Sequence, residues 1–149
     1  MIDNLVKIFK EDNRVCVRDD EVMVNCRCAK DATDCAMVMN EILNEGESVI
    51  SMDYLDFKDK SGIIEYDFEV VNGIDICDYS ESIARIDLSE YCKYVLCIVG
   101  NISLAEVTGV MEDMMGTLDS EAAPVVSFGY ICDENYQENV FDMYIWKER

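Results

Sequence analysis

The side chains that could do chemistry in this chain are mostly carboxylates and thiols. Its 149 residues include 32 aspartates and glutamates, eight cysteines and no histidine. Without histidine, a serine or cysteine nucleophile would need a lysine or a carboxylate as its base. No G-x-S-x-G turn and no EF-hand calcium loop occurs. The acidic pair Asp133-Glu134 falls where a turn is predicted, and a solvated turn accounts for it. Because no catalytic or calcium-binding motif occurs, we predict no catalytic residues and no cofactor.

Three cysteines are close enough in sequence to suggest a soft-metal site. They are Cys26, Cys28 and Cys35 in "NCRCAKDATDC", which lacks the C-x-x-C pairs of structural zinc sites. In a strand, Cys26 and Cys28 would point to the same face, which suits a hydrophobic core equally well. We predict no bound metal, and metal binding by these three thiols stays the open alternative.

Charge and composition narrow the classes of partner. The formal net charge is −20, and such a surface repels nucleic acid and anionic lipid. The acids are spread along the chain, which indicates a solvated surface, with recognition of a basic partner as the alternative. No apolar run approaches the roughly 20 residues of a membrane span, and the N-terminus lacks a signal-peptide core. We therefore expect one cytoplasmic domain over residues 1–149.

The first half of the chain, residues 14–72, predicts the order strand–helix–strand–strand. "EVMVNCRC" indicates a strand, and a helix with apolar residues at helical spacing follows and ends near Gly46. "SVISMDYLDF" and "GIIEYDFEVV" indicate two strands of a hairpin. Residues 1–13 predict an added N-terminal helix. The apolar positions of the first-half helix are Ala32, Cys35, Ala36, Met39, Ile42 and Leu43.

A connecting helix is predicted over residues 73–93, before the second half. Ser80 would cap this helix, and Ile83, Ile86 and Leu88 would be its buried positions.

The second half, residues 94–149, predicts the same element order. "YVLCIVG" reads as a strand buried on both faces. Ser103 and Glu106 have the spacing of a capping box at the start of the next helix. "APVVSFGYICDEN" and "NVFDMYIWKE" indicate a hairpin that turns near Tyr136-Gln137, with residues 125–131 as its inner strand. The predicted apolar stripe of the helix comprises Leu104, Val107, Met111, Met114 and Leu118.

The two halves match at an offset of about 75 residues. Val24 aligns with Val99, and Asp67 aligns with Asp142. This register suggests a duplicated β-α-β-β unit, and whether the duplication is real is left open. We predict an α+β fold, a two-layer sandwich of one mixed sheet with its helices packed on one face.

Residues 94–146 resemble the C-terminal domain of FtsZ, the tubulin relative. The resemblance is carried by "YVLCIVGN", "ISLAEV", "VVSFGYICDEN" and "VFDMYIW", which occur in the order and spacing of that family. The matching motif positions, which the resemblance implies define the fold, are Gly100, Ser103, Leu104, Glu106, Phe128, Gly129, Asp133 and Glu134.

The resemblance covers about a third of the chain and excludes the nucleotide-binding part. FtsZ binds GTP through a glycine-rich loop, whereas no two of the seven glycines here are adjacent. "YLDFKDK" is similar to the acidic activating loop of FtsZ, which would give Asp56 and Asp59 a role at a neighbouring subunit's GTP. We interpret the segment instead as a charged hairpin turn.

Three functions follow as hypotheses. The first is a non-catalytic interaction module of the FtsZ/tubulin C-terminal type, which self-associates or binds a protein partner in cell division or the cytoskeleton. The second is a regulatory domain that binds a small molecule. The third is an enzyme that uses Asp56 and Asp59, or a carboxylate- or cysteine-based hydrolase. We rank them in this order.

Overall fold

A computed structural model of the chain describes residues 6–9, 13–17, 21–43, 54–58, 61–86, 93–117 and 125–149. These residues form seven strands and four helices. In chain order they are β1 (Val6–Phe9), β2 (Arg14–Val17), β3 (Val22–Asn25), α1 (Ala29–Leu43), α2 (Tyr54–Phe57), β4 (Ile64–Asp75), α3 (Ser80–Ala84), β5 (Lys93–Gly100), α4 (Leu104–Thr117), β6 (Val125–Cys132) and β7 (Val140–Glu148).

The strands form one mixed sheet in the order β1-β2-β3-β4-β7-β5-β6. β3 and β4 pair in parallel, as do β5 and β6, and the other neighbours are antiparallel. The single sheet joins the two halves of the chain through the long β4–β7 pairing. The predicted α+β class and mixed sheet are confirmed.

Helices cover both faces of this sheet. β5 is buried throughout, and successive side chains of a strand point to opposite faces. Val95, Cys97 and Val99 lie in one core cluster with the buried side of α1. Tyr94, Leu96 and Ile98 lie in the other cluster with α3 and α4. The predicted placement of all helices on one face is therefore wrong. The strand "YVLCIVG" presents apolar side chains on both faces of the sheet, so helices must bury each face.

A bulge in β4 changes the face to which its side chains point. Val71 pairs with Met143 and Ile74 pairs with Phe141, so β4 has one extra residue there. Gly73 lies in this bulge with φ +64, a conformation that glycine adopts without steric cost. Its N–H donates to Asp142 Oδ1 at 2.7 Å. Beyond the bulge, Ile74 packs with the α4 cluster rather than the α1 cluster.

Local patterns predicted the two long helices well. The predicted core positions Ala32, Cys35, Ala36, Met39 and Ile42 of α1 are all buried. In α4, Val107, Met111 and Met114 are buried as predicted. Leu104 is half exposed, whereas Val110, which was not in the predicted stripe, is fully buried. The side chain of Leu43, together with Gly46 and Leu118, lies outside the described residues.

The predicted N-terminal helix over residues 1–13 is wrong where the structure describes it. Val6–Phe9 is a strand, paired antiparallel with β2 across a turn at Asn13, whose φ is 50. Pairing with β2 satisfies the backbone groups of this short segment, and such tertiary pairing overrides helix propensity. Residues 1–5 and 10–12 lie outside the described residues.

The predicted first-half hairpin is also wrong in its described part. Residues 54–57 form helix α2, and residues 48–53 lie outside the described residues. Phe57 is fully buried against Trp146, with ring centroids 5.1 Å apart. Tyr66 donates its hydroxyl to the Phe57 carbonyl. β4 pairs instead with β3 and β7, which are distant in sequence.

The connecting helix is much shorter than the predicted span of residues 73–93. Residues 73–75 complete β4, Lys93 opens β5, and α3 covers only Ser80–Ala84. Tyr79 rather than Ser80 is the N-cap, and no side-chain cap is formed. Ile83 and Ile86 are buried as predicted, and Leu88 lies outside the described residues.

The predicted hairpin between β6 and β7 does not form. β5 lies between these two strands, so β6 is the last strand of the described sheet rather than an inner one. The chain leaves β6 and crosses the end of β5 through residues 133–139, which include Tyr136-Gln137. The starts of α1 and α4 keep the predicted offset. The first and last strands of the two predicted halves nevertheless pair differently, because β3 and β4 are parallel whereas β5 and β7 are antiparallel. The halves therefore differ in strand arrangement.

Candidate protein-interaction surface

Six of the eight FtsZ-like motif residues lie at or just beyond the ends of the parallel strands β5 and β6. Gly100 is the last residue of β5, and Ser103 lies between it and α4. Asp133 follows β6, and its N–H donates to the Gly100 carbonyl at 2.9 Å. Glu134 is exposed in the next turn. The carboxyl ends of parallel strands are a common place for binding sites in open sheets.

The capping box predicted at α4 is present. The Glu106 N–H donates to Ser103 Oγ at 3.2 Å, and the Ser103 N–H donates to Glu106 Oε1 at 2.9 Å. Two N–H groups that the first helical turn would leave unpaired are thereby satisfied. Both side chains therefore act as structural parts of the helix start.

Gly100 permits a close approach between β5 and β7. A Cβ atom at this position would lie 2.5 Å from Phe141 Cα and 2.6 Å from the Val140 carbonyl oxygen. No carbon atom is accommodated at such distances, and backbone atoms cannot move aside cheaply. The strand-ending glycine of the motif is thus required by packing.

Three side chains that the sequence did not single out hold the loops at this end. The Tyr130 hydroxyl accepts from the Ile102 N–H at 3.1 Å and donates to the Ile102 carbonyl. Tyr136 donates to Asp142 Oδ2 at 2.6 Å. Burial raises the pKa of the Tyr130 and Tyr136 hydroxyls above the usual tyrosine value. These hydroxyls therefore stay protonated and serve as structural hydrogen-bond partners. Only the tertiary structure shows which groups they bind.

Two acidic side chains of β4 pair with three cations from other parts of the chain. Arg149 Nε lies 2.8 Å from Asp67, and Arg27 lies 2.7 Å from Glu69 Oε1. Lys147, itself buried, lies 3.6 Å from Glu69 Oε2. Of these three cations only Lys147 is buried, and the side chains of Arg27 and Arg149 remain more than half exposed.

The thiols considered for metal binding lie in different environments. Cys35 is fully buried and accepts the Trp146 indole N–H at 3.4 Å. Burial raises the pKa of the Cys35 thiol well above its ordinary value. Cys26 is half-buried against the same cluster, and Cys28 is exposed. Among the described residues, no three cysteines or carboxylates are grouped as metal ligands.

The two aspartates of the activating-loop resemblance are not brought to the motif end. Asp56 is half-buried on α2, whose Phe57 packs in the α1 cluster on the opposite face from α4. Asp59 lies outside the described residues. The turn predicted here is a helix at 54–57, so the interpretation of a charged hairpin turn is wrong.

Exposed apolar side chains concentrate beside β6. Five large hydrophobic side chains of the described residues are exposed, and three of them are Leu104 (51%), Met115 (47%) and Val125 (58%). Tyr79 donates its hydroxyl to Asp113, so that flank of α4 faces the residue preceding α3. At about 100° per residue, Leu104 and Met115 project from the opposite flank, away from Tyr79.

We call this surface the β6 margin. It comprises Leu104 and Met115 of α4 with Val125, Val126 and Phe128 of β6. Val126 and Phe128 are half-buried and pack on the α4 cluster, which joins the margin to the core. The motif residue Gly129 is buried in the middle of the same strand.

Comparisons with known proteins bear on the fold alone. No protein-family model and no curated protein matches the sequence. The structure is similar to an M. jannaschii FtsZ described as an empty dimer, with a TM-score of 0.55 and 15% identity over 79% of this chain and 38% of that one. The fold is FtsZ-like. A tryptophan-to-tyrosine mutant of M. jannaschii FtsZ gives a TM-score of 0.54 and 17% identity over 80% of this chain and 41% of that one.

The FtsZ-like fold confirms the resemblance found in residues 94–146. At these identities the likeness establishes the fold and not a shared activity. The chain spans about two-fifths of the FtsZ chains it matches, as a C-terminal-domain-like portion would. No helix within the described part of the chain combines the length and the apolar character needed to cross a membrane.

Proposed function

We propose that this FtsZ-like chain is a non-catalytic interaction module, which self-associates or binds a protein partner in cell division or the cytoskeleton. The observation that carries the proposal is the β6 margin. In a protein of net charge −20, an uncharged strand and three exposed apolar side chains share one edge. Val125 points to the α1 face, whereas Leu104 and Met115 belong to α4 on the other face, so exposed apolar side chains lie on both faces of this edge. Exposed apolar side chains gathered at one place mark protein contacts.

The composition of the margin suits the centre of a protein contact. Interface cores are poor in charge and rich in methionine and aromatic side chains, and their rims are polar. Met115 and Phe128 supply such side chains, while Glu112 and Asp133 supply a polar rim. The two other exposed hydrophobic residues, Met37 and Ile63, do not belong to the margin.

The non-catalytic part of the proposal rests on how the motif side chains are used. Ser103 and Glu106 are engaged in the helix cap, and Tyr130 holds the loop before it. Side chains engaged in this way are not presented to a substrate. One of the similar FtsZ structures is described as a dimer, so the same fold occurs in a protein that self-associates.

Sedimentation tests this proposal directly. We expect the chain to form oligomers as its concentration rises, or to pellet together with polymerised FtsZ. The double variant Leu104→Ser with Met115→Ser is expected to lose this behaviour, because it removes apolar surface from the margin. Met37→Ser, which changes a still more exposed methionine on α1, serves as the control and is expected to behave as wild type.

Two results would contradict the proposal. One is a monomer at every concentration that never pellets with FtsZ filaments. The other is an association that Met37→Ser weakens as much as the double variant does. Unchanged Trp146 fluorescence in each variant shows that the fold is intact, since Trp146 is fully buried and is the one tryptophan of the sequence.

A further inference from the structure

The outer edge of β6 carries backbone groups that no described strand pairs. β6 is the last strand in the sheet order, and β5 occupies its inner side along the whole strand. Asp133 donates its N–H inward to Gly100. The backbone N–H and C=O groups of successive strand residues point to alternate sides of the strand. Residues an even number of positions from Asp133 therefore point these groups inward, to β5, and the residues between them point theirs outward. The N–H and C=O groups of Val126, Phe128, Tyr130 and Cys132 therefore face outward.

Within the described residues, this edge lacks the sequence features that usually protect a strand edge. Proteins protect such edges with charged side chains, proline, bulges or very short strands. β6 is eight residues long, reads VVSFGYIC, and contains no charge and no proline. Its pairing with β5 runs in register over all eight residues without a bulge. An edge of this kind is ready to accept another strand.

We propose that β6 binds an extended basic segment of a partner protein as an added eighth strand. This inference rests on the proposed interaction function and names the partner's chemistry. The outward N–H and C=O groups would supply main-chain hydrogen bonds, as in other strand-addition complexes. α4 packs on the same face as Val126 and Phe128, and its exposed Leu104 and Met115 would contact apolar side chains of that face of the incoming strand.

Charge decides between a basic segment and a second copy of this chain. Each chain carries a net charge of −20, so two copies repel each other over a Debye length of about 8 Å at physiological salt. Glu112 neighbours Met115 and Thr108 on the exposed side of α4, and Asp133 and Glu134 follow the end of β6. An uncharged strand bordered by acids is complementary to an apolar strand bordered by lysine or arginine.

The experiment selects from a displayed library of random peptides about twelve residues long, enough to span β6. We expect the recovered peptides to alternate apolar residues with others and to carry lysine or arginine at their ends. Val126→Pro is the blocking variant, because it removes an outward N–H while leaving the inward bonds to β5 in place. Val126→Thr, which keeps the N–H, is its matched control.

Recovered peptides should bind wild type and Val126→Thr alike, and bind Val126→Pro at least about tenfold more weakly. Cys132→Pro, compared with Cys132→Ser, repeats the test at the far end of the strand in case Val126→Pro unfolds the protein. Charge gives an independent readout at an exposed position. Met115→Lys should weaken binding more than Met115→Glu, and added salt should reduce this difference.

The outcomes separate this inference from the proposed function. If peptides bind both proline variants as tightly as wild type, the β6 edge is not the site, although the interaction function stands. A second result would be that no peptide is recovered, the chain self-associates, and the proline variants abolish this self-association. In that case a second copy of the chain occupies the edge, and our choice of partner is wrong. If recovered peptides are acidic or neutral, the charge argument fails. If nothing is recovered and sedimentation shows a monomer, both proposals fail.

Discussion

Replacing Gly100 by alanine tests how closely β5 and β7 approach. The added methyl group would stand 2.5 Å from both Phe141 Cα and Phe141 Cβ, and 2.6 Å from the Val140 carbonyl oxygen. Ordinary contact between carbon atoms begins near 3.5 Å, so the two strands would have to separate by about 1 Å at this point. Overpacking a well-packed core usually costs about 1–3 kcal/mol.

We expect the cost at Gly100 to reach the upper end of that range, about 3 kcal/mol. The reason is that the obstacle is backbone on the central pairing of the sheet, where Gly100 lies directly opposite Phe141. The same shift would strain two adjacent backbone hydrogen bonds, from Asp133 N–H to the Gly100 carbonyl and from Asn101 N–H to the Val140 carbonyl. Those bonds hold the loops that carry the motif residues.

Urea unfolding followed by Trp146 fluorescence measures the effect. With a slope of about 2 kcal/mol per molar urea for a chain of this size, the midpoint should fall by about 1.5 M. Gly109→Ala is the matched control, because a Cβ there meets no atom within 4 Å in the middle of α4. That control should stabilise the protein by about 0.5–1 kcal/mol, the helix preference of alanine over glycine.

Opposite signs for the two glycine substitutions are the decisive result. A Gly100→Ala variant within about 0.5 kcal/mol of wild type would refute the close approach of β5 to Phe141. A destabilised Gly109→Ala would likewise show that α4 has a neighbour at that position. The two variants add the same methyl group, so any difference between them comes from the site.

Three further predictions concern the helix cap and the thiols. Ser103→Ala should lower the free energy of unfolding by about 1 kcal/mol. In the Ser103→Ala background, Glu106→Ala should cause little further destabilisation, because the two side chains form one capping box. Urea unfolding of the wild type, both single variants and the double variant measures this. Burial raises the pKa of Cys97 from 9.0 to about 12, so as the pH rises the thiol ionises first in the unfolded chain. The stabilisation present below pH 9 should therefore be lost between pH 9 and 12, by up to about 1.4 kcal/mol per pH unit. Urea midpoints of Cys97→Ala should depend less on pH than those of wild type, and an identical dependence would contradict the assignment. The carboxylate of Asp75 raises the pKa of exposed Cys77, so Asp75→Asn should speed thiol labelling at Cys77 near pH 8 while leaving exposed Cys28 unchanged.

Much of the fold could be predicted because burial leaves a local pattern. The helical spacing of Cys35 and Met39 and the unbroken apolar run of β5 both report which side chains avoid water. The capping box of α4 is likewise local, since Ser103 and Glu106 are three residues apart. The FtsZ-like fold itself was predictable from motifs whose order and spacing survive in residues 94–146.

The candidate surface was predictable only in part. Phe128 and Leu104 were singled out by the resemblance, but as fold-defining positions. That Leu104 and Met115 project away from α3 depends on which flank of α4 faces Tyr79, and the hydrogen bond between Tyr79 and Asp113 settles this. No spacing within the sequence encodes that contact.

The amino-acid sequence by itself determined which segments are buried, where the long helices lie, and that the chain is strongly acidic. Only the tertiary structure decided the strand order, because pairing is a contact between distant segments and periodicity reports only one segment's surroundings. β5 enters between β7 and β6, which converts a predicted inner strand into an edge. The chemistry of "VVSFGYIC" was visible in the sequence, and its outward-facing backbone was not.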